Sequence, residues 1–208
     1  SLLVGTSFAK ALSVAVGCPL VEVNHLQGHL LAGFVQQKDV PFVHPKFPYL
    51  CLLVSGGNSQ IVRVDSPLKF EILGQTIDDA VGEAFDKCSK MMGLGYPGGP
   101  IVDRLAKQGN PTRFKFAKPH IPGYDYSFSG IKTSLLYFVR DQLAENPSFM
   151  EENKEDICAS FQRHLIDILM DKLIKAARDT GISEVTIGGG VSANSELRAR
   201  LQEEGRKR

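Results

Sequence analysis

"YLCLLVSGGNSQIVRVDSPLKFEILGQ", residues 49–75, is the stretch that decides the fold class of this chain. It contains runs of apolar and β-branched residues at 49–55, 60–64 and 70–74. Such runs are typical of β-strands. The linkers between them, "GGN" and "DSP", are short and rich in turn-forming residues. The stretch therefore predicts three strands in an antiparallel meander.

Helical and extended patterns surround this meander. Downstream, the patterns predict helices at 79–92, 101–108, 129–144 and 153–180, an irregular segment at 109–128, a buried strand at 184–190 and a closing helix capped by Asn194 or Ser195. Upstream, they predict a helix at 2–16, a strand at 20–23 and a helix from the cap Asn24 to about Gln37. This order predicts a mixed α/β layer fold.

The composition narrows the class of protein. The chain has 208 residues and a net charge of +1, so it can bury a sizeable core, and no global charge points to a nucleic acid. Its four cysteines form no CxxC pair, which argues against a disulfide scaffold or a zinc ribbon and fits a reducing cytoplasm. No apolar run approaches the roughly 20 residues of a membrane helix.

The ends of the chain and one proline-rich stretch bear on its organisation. Both ends lie in predicted helices, and a natural domain rarely starts and stops inside packed elements. We therefore expect the sequence to be a fragment of a longer protein. "KDVPFVHPKFP" at 38–48 contains three prolines, which is typical of a connection and here predicts a boundary between two lobes.

"NHLQGHLLAG", residues 24–33, places His25 and His29 four residues apart. On a helix these positions face the same way, about 6 Å apart, so the two imidazoles could share a metal ion. The alternative is a pair of solvated histidines. A zinc protease helix would carry H-E-x-x-H, with the glutamate as general base, but Leu26 follows His25 here. The pattern therefore disfavours hydrolysis by that route.

Two glycine-rich turns follow strands. In "LLVSGGNSQ" (52–60) the strand ends in Ser-Gly-Gly-Asn, whose backbone N–H groups could bind phosphate oxygens, or it is a plain hairpin. In "IGGGVSANSELR" (187–198) glycines precede a helix N-terminus, an arrangement that suits an anion or a nucleotide. A tight strand-to-helix turn would require glycine anyway, so both interpretations stay open.

Acidic residues cluster in "DDAVGEAFDKCSKMMGLGYPGGPIVDRLA", residues 78–106. Asp79, Glu83 and Asp86 share one face of the predicted helix because their spacings are four and three. They either line a cleft, where carboxylates could accept hydrogen bonds from ribose hydroxyls, or are merely solvated.

"PTRFKFAKPH", residues 111–120, interleaves basic and aromatic side chains. Arg113, Lys115 and Lys118 alternate there with Phe114 and Phe116. This composition is typical of a contact with nucleic acid. The alternative is a basic edge segment whose aromatic rings belong to the core. If the first interpretation holds, the three cations contact phosphates of a nucleic acid.

Five motifs together resemble the successive signatures of one family, the tRNA adenosine threonylcarbamoyltransferases, also known as O-sialoglycoprotein endopeptidases or glycoproteases. They are "NHLQGHLLAG", "LLVSGGNSQIV", "TIDDAVGEAFDKCSKMMGLGYPGGP", "DYSFSGIKTSLL" and "GGGVSANSELR". The resemblance covers nearly the whole chain in order. It implies an actin-like ATPase fold of two lobes, related to ribonuclease H. Residues 1–37 would end the first lobe, 38–48 would connect the lobes, and 49–208 would form the second lobe, incomplete at its C-terminus.

The resemblance also implies site residues. His25 and His29 match the family's metal ligands for iron or zinc. The substrate-binding positions, which include the phosphate-contacting turn, match Leu53, Val54, Ser55, Gly56, Gly57, Asp86, Gly99, Asp103 and Asn194. The family's Gly-Ile-Glu-Thr-Ser-like first strand has no counterpart before Ser1, and its third metal ligand, an aspartate, has none before Arg208.

The function implied is transfer of threonylcarbamoyl from threonylcarbamoyl-AMP to the adenosine beside a tRNA anticodon. The implied ligands and partners are tRNA, an ATP- or AMP-type nucleotide, a TsaB-like paralogue and a TsaE-like ATPase. No residue is assigned as general base, and the fragment alone is expected to be inactive. The rival interpretations are the metalloprotease of the older family name and an ATP-dependent kinase of the same fold.

Overall fold

The computed structural model describes residues 2–36, 38 and 44–207. Four strands form one sheet in the order β3-β2-β1-β4. The strands are β1 (Tyr49–Val54), β2 (Ser59–Ser66), β3 (Lys69–Gln75) and β4 (Val185–Gly188). β1 pairs antiparallel with β2, and β2 pairs antiparallel with β3, so the predicted meander is confirmed.

The described residues contain seven helices. They are α1 (Leu2–Val16), α2 (His25–Leu31), α3 (Val81–Met91), α4 (Gly98–Ala106), α5 (Ser129–Glu145), α6 (Phe149–Thr180) and α7 (Ser195–Lys207). Short 3-10 turns occur at Ala32–Phe34 and Gly190–Ala193. Among the described residues, no helix combines the length and apolar character that a membrane span requires.

β1 is the centre of the core because helices cover both of its faces. All six of its residues are buried. Alternate side chains point to opposite faces, so Leu50, Leu52 and Val54 join the large cluster formed with α3, α5 and α6. Tyr49 and Cys51 join a smaller cluster on the other face, which contains Leu30 of α2.

One hydrogen bond ties α2 to the central strand. The hydroxyl of Tyr49 donates to the carbonyl of Leu30 at 2.7 Å. Burial, with a smaller effect of Cys51, raises the pKa of Tyr49 to about 12. The hydroxyl therefore stays protonated at neutral pH and remains a donor.

The structure corrects three expectations in detail. Residues 20–23 are exposed and form no strand, since no described segment pairs with them. α2 ends at Leu31 and continues only as a 3-10 turn, because Gly28 and Gly33 lower the helix propensity of this segment. The predicted end of the helix, at Gln37, lies outside the described residues. β4 is mostly half-buried because it is an edge of the described sheet.

The predicted connection at 38–48 is described only at residue 38 and from residue 44 onward. Its remaining positions, 39–43, lie outside the described residues. The division of the chain into lobes therefore stays a prediction. The helix cap at Asn24 is confirmed, since its side chain accepts hydrogen bonds from the backbone N–H groups of Leu26 at 3.0 Å and Gln27 at 3.2 Å.

Asp78 anchors the start of α5. Its carboxylate accepts hydrogen bonds from the backbone N–H groups of Phe128 at 2.7 Å and Ser129 at 3.2 Å, and from the Ser129 hydroxyl at 2.8 Å. The Ser127 hydroxyl also donates to it. Burial by itself would raise the pKa of Asp78, but these bonds outweigh it and lower the pKa.

Replacing Asp78 by Ala should lower the free energy of unfolding by about 0.5–2 kcal/mol at neutral pH, as for a lost helix cap. Because the folded-state pKa is lowered, this contribution is present well above the ordinary aspartate pKa of about 3.9. It is lost as pH falls through the folded-state pKa. Urea unfolding of D78A and wild type across this pH range measures the difference. A difference that stays constant down to the lowest pH would contradict the role.

Candidate functional site

A cavity of about 340 Å³ lies where β1 and β4 end at their carboxyl termini. Crevices at this edge of an α/β sheet are the usual ligand sites. The walls come from the turn after β1, from α3, from the start of α4 and from the turn after β4. Five of the predicted substrate-binding residues line the cavity: Gly56, Asp86, Gly99, Asp103 and Asn194. The fold thus brings together positions that are far apart in the sequence.

A second, larger cavity of about 860 Å³ lies between α6, β4 and α7. Most of its apolar wall is aliphatic, with Leu173, Ile174 and Ile187 among the lining residues. None of the predicted site residues lines it. We therefore take the smaller cavity as the candidate site.

Glycines allow the backbone turns of this site to touch. A Cβ atom at Gly82 would lie 2.5 Å from the carbonyl oxygen of Ser55, and one at Gly189 would lie 2.3 Å from that of Val54. Gly189 also has a φ of +88°, which L side chains rarely adopt. Residues 54–56 are therefore packed directly against the backbone at Gly82 and at Gly189. Neither contact leaves room for a side chain on the glycine.

The turn after β1 is held by its own hydrogen bonds. The hydroxyl of Ser55 accepts from the backbone N–H groups of Asn58 at 3.0 Å and Gly57 at 3.3 Å. These two N–H groups are thus engaged inside the turn, whereas Gly56 lines the cavity. Leu53 and Val54 are buried, so their side chains belong to the core.

Asp86 joins α3 to the start of α4. Its Oδ1 accepts a hydrogen bond from the backbone N–H of Gly98 at 2.7 Å, and a Cβ atom at Gly98 would lie 2.6 Å from the carbonyl oxygen of Phe85. The described protein thus engages one oxygen of the carboxylate. Because Asp86 lines the cavity, its other oxygen remains for a ligand.

The other two acids of the predicted helix face, Asp79 and Glu83, do not line the cavity. Asp79 lies before the start of α3 at Val81. The ammonium of Lys87 lies 2.7 Å from a carboxylate oxygen of Asp79 and 2.7 Å from one of Glu83. These contacts raise the pKa of Lys87, and the hydrogen bond to Asp79 has the largest effect. Of the two interpretations left open by the sequence, lining a cleft therefore fits only Asp86, whereas Asp79 and Glu83 pair with Lys87 outside the cavity.

Asp103 and Asn194 connect the cavity to α7. Oδ1 of Asp103 accepts from the hydroxyl of Ser195 at 2.7 Å and from its backbone N–H at 3.2 Å. The side chain of Asn194 accepts from the backbone N–H of Leu197 at 3.0 Å, so Asn194 is the helix cap. The amide of Asn194 also donates to Gln162 at 2.7 Å.

Sequence reasoning missed several residues of the cavity wall, among them Gly82, Gly190, Arg104 and Lys107. One signal was available for Gly82, since a glycine inside a helical pattern often has a packing reason. Arg104 and Lys107 gave no signal, because a charged residue on an amphipathic helix is usually solvated.

His25 and His29 lie on the same side of α2. Their ring centroids are 4.6 Å apart, with the ring planes at 80°. His29 lies beside the end of β4, because a Cβ atom at Gly188 would be 3.0 Å from its carbonyl oxygen. Two imidazole rings this close together are of the residue type that binds iron or zinc. Within the described ranges, no group of three potential ligands completes a metal site.

The basic stretch at 111–120 contributes its rings to the core. Phe116 is 8% exposed and packs edge to face with Phe161. Arg113 pairs with Asp156 at 3.0 Å, Lys118 pairs with an acid of α6, and Lys115 has no ion pair with any described residue. The aromatic rings are therefore unavailable for stacking on bases, and a role of the three cations in tRNA binding stays a prediction.

Comparisons with known proteins identify relatives along the whole chain. The family model for tRNA N6-adenosine threonylcarbamoyltransferase (TsaD) matches residues 1–207. A curated protein of that name from Porphyromonas gingivalis is 62% identical over 207 residues, which cover 100% of this chain and 61% of the relative. One from Syntrophotalea carbinolica is 46% identical and covers 100% and 58%, respectively. The chain thus spans about three fifths of the length of these relatives.

A solved structure shares the fold. It is described as the crystal structure of full-length HypF in the phosphate- and nucleotide-bound form. It matches with a TM-score of 0.59 and 15% identity over 90% of this chain and 38% of the other. The predicted mixed α/β fold of the actin-like ATPase class is confirmed.

Replacing Gly189 by Ala should destabilise the protein and distort the cavity. The backbone conformation alone costs about 1–3 kcal/mol, and the clash with the Val54 carbonyl adds to it. Gly190 is the matched control, because a Cβ atom there meets nothing within 4 Å. Urea unfolding of G189A and G190A measures both effects. Equal unfolding free energies for the two variants would show that the close approach is not a constraint.

Proposed function

Because this chain belongs to the tRNA N6-adenosine threonylcarbamoyltransferase family, we propose that the full-length protein modifies tRNA. It transfers a threonylcarbamoyl group from threonylcarbamoyl-AMP to the exocyclic amine of the adenosine beside the anticodon. The observation that carries this proposal is the cavity of about 340 Å³ around Gly56, Asp86, Gly99, Asp103 and Asn194. Its volume is in the range of small-ligand sites.

The cavity wall offers groups that suit the adenylate part of the donor. Asp86 has a carboxylate oxygen for a ribose hydroxyl, because only its Oδ1 bonds to the described protein. Asp103 is partly engaged by Ser195 and has Oδ2 at 3.7 Å from the ammonium of Lys107. Gly56 and Gly99 leave the backbone accessible, and bare backbone N–H groups near glycines suit phosphate oxygens.

The reaction depends mainly on positioning and on charge. The adenosine amine attacks the carbamoyl carbon of the mixed anhydride, and the bond from that carbon to the phosphate oxygen breaks. AMP leaves with the electron pair, and the amine loses a proton. A neutral aromatic amine is a poor nucleophile, so correct alignment with an activated donor supplies much of the rate. N–H donors near the phosphate stabilise the leaving group. No described side chain is assigned as general base.

His25 and His29 would hold one iron or zinc ion, together with a third ligand from a part of the protein outside this chain. When bound, the ion would supply Lewis acidity and a template for donor oxygens. The spacing of the rings supports this assignment, as does the contact of His29 with Gly188, which directly precedes the turn whose Gly190 lines the cavity.

The remaining assignments follow from the family. Residues 1–37 would complete a first lobe, which accords with the absence of buried residues in α1. Residues 38–48 would connect it to the second lobe at 49–208. The partners would be tRNA, a TsaB-like paralogue and a TsaE-like ATPase, in the cytoplasm. Neither a metalloprotease nor a kinase activity gains a specific observation in its favour.

Replacing Asp86 by Asn should weaken AMP binding by about 1–3 kcal/mol and lower threonylcarbamoyl transfer to tRNA. The amide still accepts from the Gly98 N–H, so the local fold is kept, but its NH2 group cannot accept from a ribose hydroxyl. Glu83→Gln is the matched control on the same helix, outside the cavity. Calorimetry with AMP and a transfer assay on the full-length protein with its helper proteins measure both effects. Equal AMP affinity in D86N and E83Q would exclude the assigned role.

Replacing His25 or His29 by Ala should each lower the content of iron or zinc in the full-length protein, since a site seldom keeps its ion with a ligand missing. His120→Ala, at an exposed histidine outside α2, should leave the metal content unchanged. Elemental analysis of the purified variants gives the metal-to-protein ratio. An unchanged metal-to-protein ratio in both H25A and H29A would show that the two histidines do not bind the metal.

A further inference from the structure

We propose that Gln162 is a positioning residue for this cavity. It fixes the side-chain amide of Asn194 so that one amide N–H remains for the bound nucleoside. Gln162 lies on α6 and does not line the cavity itself. The proposal rests on the proposed function, since it takes the cavity to be a nucleoside site.

The two amides form a buried pair. Asn194 is 8% exposed and Gln162 is 4% exposed. Nδ2 of Asn194 donates to Oε1 of Gln162 at 2.7 Å. A buried hydrogen bond of this kind holds its groups firmly, because either group left unpaired would lose its solvation without compensation.

The backbone determines the direction of this bond. The N–H of Leu197 can only donate, so the oxygen of the Asn194 amide must face it, at 3.0 Å. The NH2 end of the same amide then faces Gln162, and Gln162 must present its oxygen. The cap of α7 therefore dictates the orientation of both side chains.

A count of donors shows what remains for a ligand. The backbone N–H of Asn194 donates to Val191, and its carbonyl accepts from Arg198. The side-chain oxygen bonds to Leu197, and one hydrogen of the NH2 group goes to Gln162. One N–H of the amide is left, on a residue that lines the cavity. The site therefore offers a fixed donor, which selects acceptor atoms such as the ring nitrogens or the ribose oxygens of a nucleoside.

A second buried amide on α6, that of Asn153, makes no bond to the cavity wall. Asn153 is 7% exposed, and its amide donates at 3.0 Å to the carbonyl of Phe149 in its own helix. Asn153 is thus satisfied locally, whereas Gln162 bonds to the cap of another helix at the cavity wall. The two residues provide a matched pair for separating stability from ligand positioning.

The test is adenosine binding to the full-length protein, measured by calorimetry together with thermal unfolding. Adenosine is uncharged, so a new charge in a variant does not repel it. Gln162→Met keeps the length of the side chain but removes the acceptor, and affinity should fall about fivefold or more, as for a weakened hydrogen bond. Gln162→Glu keeps an acceptor oxygen in either protonation state, and affinity should stay within about twofold.

Asn153→Leu is the control, which should lower the unfolding temperature and leave adenosine affinity unchanged. Asn194→Asp keeps the cap acceptor but removes the donor, so its affinity should fall as in Q162M. If Q162M does not fold, N194D still tests whether the Asn194 amide donor contributes to adenosine binding, since an unchanged affinity in N194D would overturn the proposal. Equal affinities in Q162M and wild type, or an equal loss in Q162E and Q162M, would overturn it as well. Absence of adenosine binding in wild type would overturn the proposed function together with this inference.

Discussion

The close approach of backbone to backbone around residues 54–56 is the constraint on which the rest of the site depends. Gly82 lies against the Ser55 carbonyl and Gly189 against the Val54 carbonyl, at distances that leave no room for a side chain. The turn after β1, the start of α3 and the turn after β4 therefore share one small volume. Because the cavity opens in this volume, part of its wall is main chain at Gly56, Gly82 and Gly190, and main chain can donate N–H groups without moving side chains.

Carboxylates at this site hold the structure together and also remain available to a ligand. Asp86 holds the start of α4 through Gly98, and Asp103 holds the start of α7 through Ser195. A carboxylate has two oxygens and about four acceptor positions, so it can bond to the protein and to a ligand. The local fold therefore orients these groups before any ligand binds, which reduces the free energy lost in ordering them.

Much of the fold could be predicted from local patterns. The meander, the cap at Asn24 and the long helix α6 follow from periodicity, turn residues and capping, which act over a few residues. The strand expected at 20–23 failed because a strand exists only with a partner. The basic and aromatic stretch at 111–120 was ambiguous for a similar reason, since composition alone does not say which way Phe116 points.

The sequence by itself determined the motifs, the family and the positions that belong to the candidate site. Only the tertiary structure decided which of these positions meet. It placed Asp86 in the cavity and left Asp79 and Glu83 with Lys87, although all three share a predicted helix face. It also connected Gln162 to Asn194 across 32 positions of the chain. The physical reason is that hydrogen bonds and close contacts between distant segments depend on ångström distances, which no local pattern of residue types records.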